Sequence, residues 1–331
     1  MTSKRKTEWQ NALSAAIREP DRLVDRLHLP ESYRSAAQTA SQIFPLLVTE
    51  SYLQKMEPGN PQDPLLLQVL PLGMEQETNP DFQVDAVGDT DARRAAGLLH
   101  KYRGRALLIT TGLCAIHCRY CFRKHYPYRD EPSKLSDWEP AFRVLHSDRT
   151  IQELILSGGD PLMLTDSRLC ELIESISQIP HIKRLRIHSR LPVVLPERIT
   201  NDLLYMLQKT RLNTIFVIHA NHAHELVDDV ATAILNMKQS GLVLLNQAVL
   251  LRRINDSAQT LIALSERLLE LGVLPYYLHQ LDRVTGTAHF EVPITRGKAI
   301  ISQMKGQLPG YAVPRYVQEL AGEPGKTIIM E

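Results

Sequence analysis

Three of the four cysteines in this 331-residue chain fall within eight residues of one another: Cys114, Cys118 and Cys121, in "TTGLCAIHCRYCFRKHY" (110–126). The fourth, Cys170, is about fifty residues away in "RLCELIESI", on the apolar face of an expected helix, where a small buried hydrophobe is the expected role. A C-x3-C-x2-C run in a chain of reducing-compartment character points to metal binding or catalysis rather than to a disulfide. Three thiolates suit zinc or an iron–sulfur cluster. His117 or His125 could supply a fourth ligand to zinc. The other possibility is a [4Fe–4S] cluster with three protein ligands, whose open iron implies chemistry rather than structure.

Bulk properties restrict what surrounds this run. Hydrophobic residues make up 44% and charged residues 23%, the composition of a globular chain large enough to bury a sizeable core. The formal net charge of +1 carries no footprint of nucleic acid or a membrane surface. The N-terminus is basic but lacks the apolar core of a signal peptide, and Glu8 and Glu19 argue against a transit peptide. No apolar run approaches the ~20 residues of a membrane span. A cytoplasmic location is expected.

The elements that must position the cysteines follow from periodicity. Residues 1–95 show apolar residues at helical spacing, interrupted by Pro20, Pro30 and Pro45, then a proline-rich connector, with no strand signal; they read as a helical accessory region. From residue 96 the rhythm changes. Short apolar runs at 105–110, 152–159, 184–189, 213–219, 241–250 and 272–280 alternate with helical patterns at 137–146, 166–178, 200–210, 222–240, 258–271 and 295–307. Continuous apolar strands alternating with helices predict an α/β fold, a parallel sheet covered by helices, as a partial barrel or an open doubly wound sheet. Function then collects at the C-terminal ends of the strands. The cysteines, "SGGDP", "HSR", "HANH", "NQ" and "HQLD" all fall there.

The cysteine spacing with an aromatic residue, Tyr120, before the last cysteine resembles the radical S-adenosylmethionine superfamily. Ser157, Gly158, Gly159 and Asp160 are similar to its second-strand motif. The resemblance implies a partial (β/α)6 barrel in which Cys114, Cys118 and Cys121 hold a [4Fe–4S] cluster. Tyr120 and residues 157–160 would then contact S-adenosylmethionine.

A second constellation narrows this. The C-terminal "PGYAVPRYVQELAGEPGKTIIME" is no phosphate loop, because Gly322 and Gly325 are too closely spaced and too few residues follow Thr327 for the required helix. With "HKYRGRALLIT", "SGGDPL", "RIHSRLPVVLPERIT", "NQAVLLRRIND" and "PYYLHQLD" it closely resembles the lysine 2,3-aminomutase family, over everything from about residue 95. The resemblance implies a C-terminal loop whose Lys326 forms an imine with pyridoxal 5′-phosphate, with Arg105 as a candidate for the cofactor's phosphate. It implies Arg123 for the carboxylate of a free lysine substrate, and Asp282 and Glu319 for its distal ammonium. Glu319 departs from the aspartate usual in the lysine enzymes of the family. A reducing electron donor is also implied. Longer members carry a C-terminal extension and a zinc-ligating cysteine where Ser257 stands here, so no structural zinc is expected and the oligomeric state stays open. The short form resembles the branch that supplies β-lysine, through a dedicated ligase, for modification of elongation factor P.

Overall fold

A computed structural model describes residues 6–132 and 134–330; the basic start Met1–Arg5, Ser133 and Glu331 lie outside the described residues. One ten-stranded sheet organises them, its strands following sequence order: β1 (Arg93–Ala95), β2 (Leu98–Tyr102), β3 (Arg105–Ile109), β4 (Glu153–Ser157), β5 (Arg184–Ser189), β6 (Asn213–Ile218), β7 (Val243–Val249), β8 (Leu274–His279), β9 (Arg315–Gln318) and β10 (Thr327–Met330). Strands β3 to β9 run parallel, while β1 and β2 at one edge and β10 at the other are antiparallel.

The two faces of this sheet differ. Leu108, Leu156, Ile187, Phe216 and Leu244 form one row across the strands and are all buried on the helix side. The alternate residues Leu107, Ile155, Arg186, Gln247 and Tyr277 line an interior cavity together with Leu99 and Lys101 of β2. Strands from opposite parts of the order thus face one space, so the sheet curls into a partial barrel. Its polar face is the inside.

The covering helices are α1 (Glu8–Ser14), α2 (Pro20–Arg26), α3 (Ser32–Ile43), α4 (Glu50–Leu53), α5 (Glu139–Ser147), α6 (Asp166–Ser177), α7 (Leu191–Val194), α8 (Asn201–Lys209), α9 (Asp228–Gln239), α10 (Ala258–Glu270) and α11 (Ile294–Lys305). Helix α6 shows why they form where they do. Leu169, Leu172, Ile173 and Ile176 recur at i, i+3, i+4 and i+7 and are all buried, the stripe of a helix packed on a sheet. Trp9, Leu23 and Val24 of α1 and α2 pack into the same apolar cluster as the barrel strands. No helix among the described residues is long and apolar enough to cross a membrane.

Six expected strands and six expected helices are present, with differences. The region before residue 96, read as free of strands, ends in β1; β2, β9 and β10 are also additional. These strands at the two ends of the sheet are three to five residues long and carry at most three consecutive apolar residues, too few to stand out as strands. Arg103-Gly104, with Gly104 at φ +81°, makes the tight turn between β2 and β3 and is the one local sign of that hairpin. The helix expected over 222–240 starts at Asp228, because the Glu225 carboxylate accepts the backbone amides of Asn221 and His222 and holds residues 223–225 in a separate 3₁₀ turn. Cys170 is half-exposed, contrary to the expectation of burial. It follows Leu169 by one position, about 100° round the helix from the buried stripe, and its thiol meets the Glu174 carboxylate at 3.4 Å.

Candidate active site

The cysteine loop leaves β3 and is held from outside by the N-terminal region. The amides of His117 and Arg119 donate to the carbonyls of Leu47 and Gln68 at 3.0 and 2.9 Å. Arg119, fully buried, forks onto both carboxylate oxygens of Glu75 at 2.8 and 2.6 Å and donates to the Phe44 carbonyl at 2.7 Å. Residues between the cysteines therefore staple the loop outward, and Cys114, Cys118 and Cys121 line one cavity of about 170 Å³ on the inside. Burial, with Asp160 and the other two cysteines nearby, raises the Cys114 thiol; burial and Cys118 push Cys121 up to about 11. Crowded thiols of this kind favour a cationic centre that converts them to thiolates, as an iron–sulfur core does.

A zinc site completed by histidine does not form. His117 Nδ1 meets the Pro45 carbonyl at 2.8 Å and His125 Nε2 the Thr285 carbonyl at 3.1 Å. Among the described residues no three His, Cys, Asp or Glu side chains converge as a site for a single metal ion.

Beside the cysteines lies the turn after β4. Gly158 has φ +122°, and a Cβ on Gly159 would come within 2.3 Å of the Leu113 carbonyl oxygen. Only glycines allow this turn to press against the cysteine loop. Asp160 lines the same cavity, yet its carboxylate is fully engaged. One oxygen accepts from Leu162 N and Ser189 Oγ at 3.0 and 2.8 Å, the other from Arg190 N at 2.7 Å and Leu191 N at 3.3 Å. Burial nevertheless pushes its carboxyl up to about 6. In this arrangement Asp160 ties the β4 turn to the end of β5. Tyr120 also lines the cavity, its hydroxyl accepting from Asn221 Nδ2 at 2.7 Å and its ring set edge-on to Phe290.

A second cavity of about 180 Å³ occupies the other half of the barrel and contains Arg105, Arg186 and Tyr277. The two cavities share Phe122, Arg123, Ser157, His188, His219, Gln247, Glu319 and Lys326. Residues separated by two hundred positions in sequence thus form one internal wall between the cysteine half and the Arg105 half.

That wall is a chain of alternating charge. Arg123 Nε donates to Asp89 at 2.6 Å, Lys101 Nζ lies 2.7 Å from the other Asp89 oxygen and 3.1 Å from Glu319, and Lys326 Nζ donates to Glu319 at 2.8 Å. Burial works to raise the Glu319 carboxyl, but Lys326 and Lys101 outweigh it and hold Glu319 well below the usual range. Arg123 spends Nε on Asp89 and Nη1 on Ser157 Oγ at 3.2 Å, and leaves Nη2 without a partner among the described residues. Asp282 faces the cysteine-side cavity with no ion pair among the described residues, and burial pushes its carboxyl up to about 7 against the pull of Lys326. Arg105 stacks on Tyr102 at 4.5 Å and has no anionic partner among the described residues.

All the expected site residues therefore line these two cavities, with Arg105 in one and Asp282 in the other. Sequence reasoning missed Asp89 and Arg190. Asp89 sits in "AVGDTDARR" and carries no local signal; Arg190 belongs to the "HSR" after β5, whose placement was legible although its role was not.

Comparison with known proteins shows the family. A family described as a 4Fe-4S single cluster domain matches residues 103–188. L-lysine 2,3-aminomutase of Haemophilus influenzae is 42% identical over 98% of this chain and 96% of its own length. The Escherichia coli protein of the same name is 43% identical over 97% and 94%. This chain belongs to the lysine 2,3-aminomutase family. The Clostridium subterminale member is 32% identical over 98% of this chain but 78% of its own, so the chain matches the shorter aminomutases end to end. Streptococcus suis SuiB, solved with S-adenosylmethionine, superposes with a TM-score of 0.50 over 66% of this chain and 51% of that one; at 13% identity it supports the fold alone. An aminomutase of this family requires a [4Fe–4S] cluster, S-adenosylmethionine and pyridoxal 5′-phosphate, and the cysteine cavity, the glycine turn and the Lys326–Arg105 cavity fit the three in turn.

Proposed function

We propose that this chain converts free L-lysine to β-lysine, with each end of the substrate held at the wall between the two cavities. The observation that carries this reading is the shared wall. It sets a carboxylate binder, an amine nucleophile and an acid between a three-cysteine cavity and a cavity holding an unpaired arginine. The β C–H of an amino acid is too weakly acidic for base catalysis. The cluster with S-adenosylmethionine supplies a carbon radical that can take that hydrogen, and pyridoxal phosphate supplies the π bond through which nitrogen migrates.

The remaining work belongs to the chain. Cys114, Cys118 and Cys121 hold the cluster; Tyr120, Ser157, Gly158 and Gly159 shape the S-adenosylmethionine pocket, and Asp160 positions its floor. Lys326 anchors the pyridoxal group and Arg105 takes its phosphate. Arg123 offers its free Nη2 to the substrate carboxylate as a charge-assisted hydrogen bond. Asp282, unpaired and facing the cavity, receives the distal ammonium. Unit charges ~4 Å apart interact by about 4 kcal/mol at an effective dielectric of 20, before desolvation. Glu319 contributes to that end once Lys326 is engaged elsewhere and one carboxylate oxygen is released.

Arg123 and Asp282 together demand a free α-carboxylate and a distal cation, so the substrate is an amino acid and not a lysyl residue in a protein. From the family resemblance alone, and not from the site's geometry, we further propose that the product serves a ligase-dependent modification of elongation factor P and that the cluster draws on an external one-electron donor. Incubating the reduced, reconstituted enzyme with free lysine, ornithine and glutamate tests the reading. β-Lysine should dominate, ornithine should react weakly, and glutamate should be inert. Preference for glutamate, or activity on a lysyl peptide alone, would overturn it.

A further inference from the structure

One buried arginine touches a cluster ligand directly. Arg190, 6% exposed at the end of β5, donates from Nη1 to Cys118 Sγ at 2.8 Å and to the hydroxyl of Tyr120. Its Nη2 is held by Gln68 Oε1 at 2.8 Å, Glu225 Oε2 at 3.0 Å and Tyr52 Oη at 3.2 Å. Glu225 is fully buried, and its other oxygen accepts the amides of Asn221 and His222 at 2.8 and 2.9 Å. The guanidinium is thus fixed from three segments distant in sequence, 52–68, 118–120 and 221–225, with its charge aimed at one of the three thiols and a carboxylate directly behind it.

We propose that the Arg190–Glu225 pair sets the reduction potential of the cluster, the arginine raising it through the hydrogen bond to Cys118 and the glutamate limiting that rise. This rests on the cluster assignment made above. Hydrogen bonds to cluster sulfurs and the net charge of the site are the protein's main controls on an iron–sulfur potential. An N–H···S bond from a cation withdraws charge from the thiolate and favours the reduced core. Buried this deeply the effect is poorly screened. The event is a one-electron reduction: one electron enters from an external reductant, no bond to Arg190 breaks, and its proton stays on the guanidinium. Aminomutase chemistry gives such tuning a purpose, since the cluster must accept an electron and pass it to a sulfonium that is hard to reduce.

A structural brace and a tuning pair make different predictions. If Arg190 merely supports the loop, loosening it or its partner should move the potential in one direction or not at all. If the pair tunes the cluster, the two charges act in opposite senses. The test is spectroelectrochemical titration of the reconstituted full-length protein, with dithionite as reductant and the reduced cluster read by electron paramagnetic resonance. Arg190→Gln should lower the reduced-to-oxidised ratio at fixed potential about tenfold, equivalent to about 59 mV for a one-electron couple. Glu225→Gln should raise that ratio several-fold. Arg190→Lys, keeping charge without the fork, should fall between Arg190→Gln and the parent. Unchanged potentials in Arg190→Lys and Glu225→Gln, or shifts of the same sign in Arg190→Gln and Glu225→Gln, would overturn the proposal. Should Arg190→Gln fail to fold, the rise in Glu225→Gln decides alone. A parent protein that takes up no iron would instead overturn the cluster assignment itself, a separate and recognisable outcome.

Discussion

The two halves of the barrel interior are held together in different ways. Around the cysteines nearly every polar atom is committed. Asp160 accepts four hydrogen bonds, Arg119 grips Glu75 with two, and Arg190 is fastened by partners from three distant segments. Around Lys326 the contacts are exchangeable. The lysine sits just before the edge strand β10, half-buried, paired with a glutamate that it shares with Lys101, and Arg105 and Asp282 have no partner of opposite charge among the described residues. Under the proposed assignment this contrast has a reason: a resident cluster needs fixed ligands, whereas a lysine that exchanges one covalent partner for another needs a bond it can give up. The chain builds rigidity where the group stays and spare capacity where groups come and go.

The largest expected effects come from breaking the rigid half. Replacing Cys114, Cys118 or Cys121 by alanine should remove most of the iron and abolish S-adenosylmethionine cleavage, measured by iron assay and 5′-deoxyadenosine release. Cys170→Ala should leave both unchanged, because that thiol meets only Glu174 on an outer helix. Iron loss in Cys170→Ala equal to that in the other three would end the three-ligand account.

Asp282→Ala should cost kcat/KM for lysine a factor of about 10² to 10⁴, since a buried ammonium left without its partner loses ~3–5 kcal/mol. The effect should have a pH signature. Burial holds the Asp282 carboxyl up to about 7, so it is neutral below that pH and ionised above it, while the lysine side-chain ammonium stays charged throughout. Lysine affinity should therefore strengthen as pH rises through about 7, and Asp282→Asn should flatten the profile. An unchanged profile in that variant would assign the titration to another group.

Asp89→Asn tests the connection between the halves with a smaller effect. It removes the charge that orients Arg123 and Lys101 and should raise KM for lysine about tenfold, roughly 1.4 kcal/mol, with kcat changed less. Glu319→Asp should be milder still, because the carboxylate is retained. Equal losses in kcat and kcat/KM for Asp89→Asn would show that Asp89 acts on the chemical step rather than on substrate placement.

How much of this was legible in the sequence follows the same division. Cys114, Cys118 and Cys121 lie in one short run, and the six apolar strands with their intervening helices announce a parallel α/β sheet, so the cysteine end could be placed from local pattern, while the choice of a barrel over an open sheet came from likeness. Lys326 could be assigned by likeness but not by periodicity, since β9 and β10 are four residues each and carry no long apolar run. Asp89, Lys101 and Glu319 form one ion chain from three separate segments, and only the fold brings them within bonding distance. Arg190 was visible as a residue after a strand; its contact with Cys118 depends on side-chain packing that spacing does not encode.

The claim on which the rest depends is that Lys326 is the exchangeable anchor and that its half can be altered without disturbing the cluster. Borohydride reduction of the reconstituted enzyme, followed by digestion and mass mapping, tests it alongside iron analysis of Lys326→Ala. The account predicts a single pyridoxyl adduct on Lys326 in the parent. It predicts no adduct, loss of the pyridoxal absorbance, a fall in isomerisation by orders of magnitude and undiminished iron in the variant. An adduct on another lysine such as Lys101, or isomerisation by Lys326→Ala close to the parent rate, would contradict it.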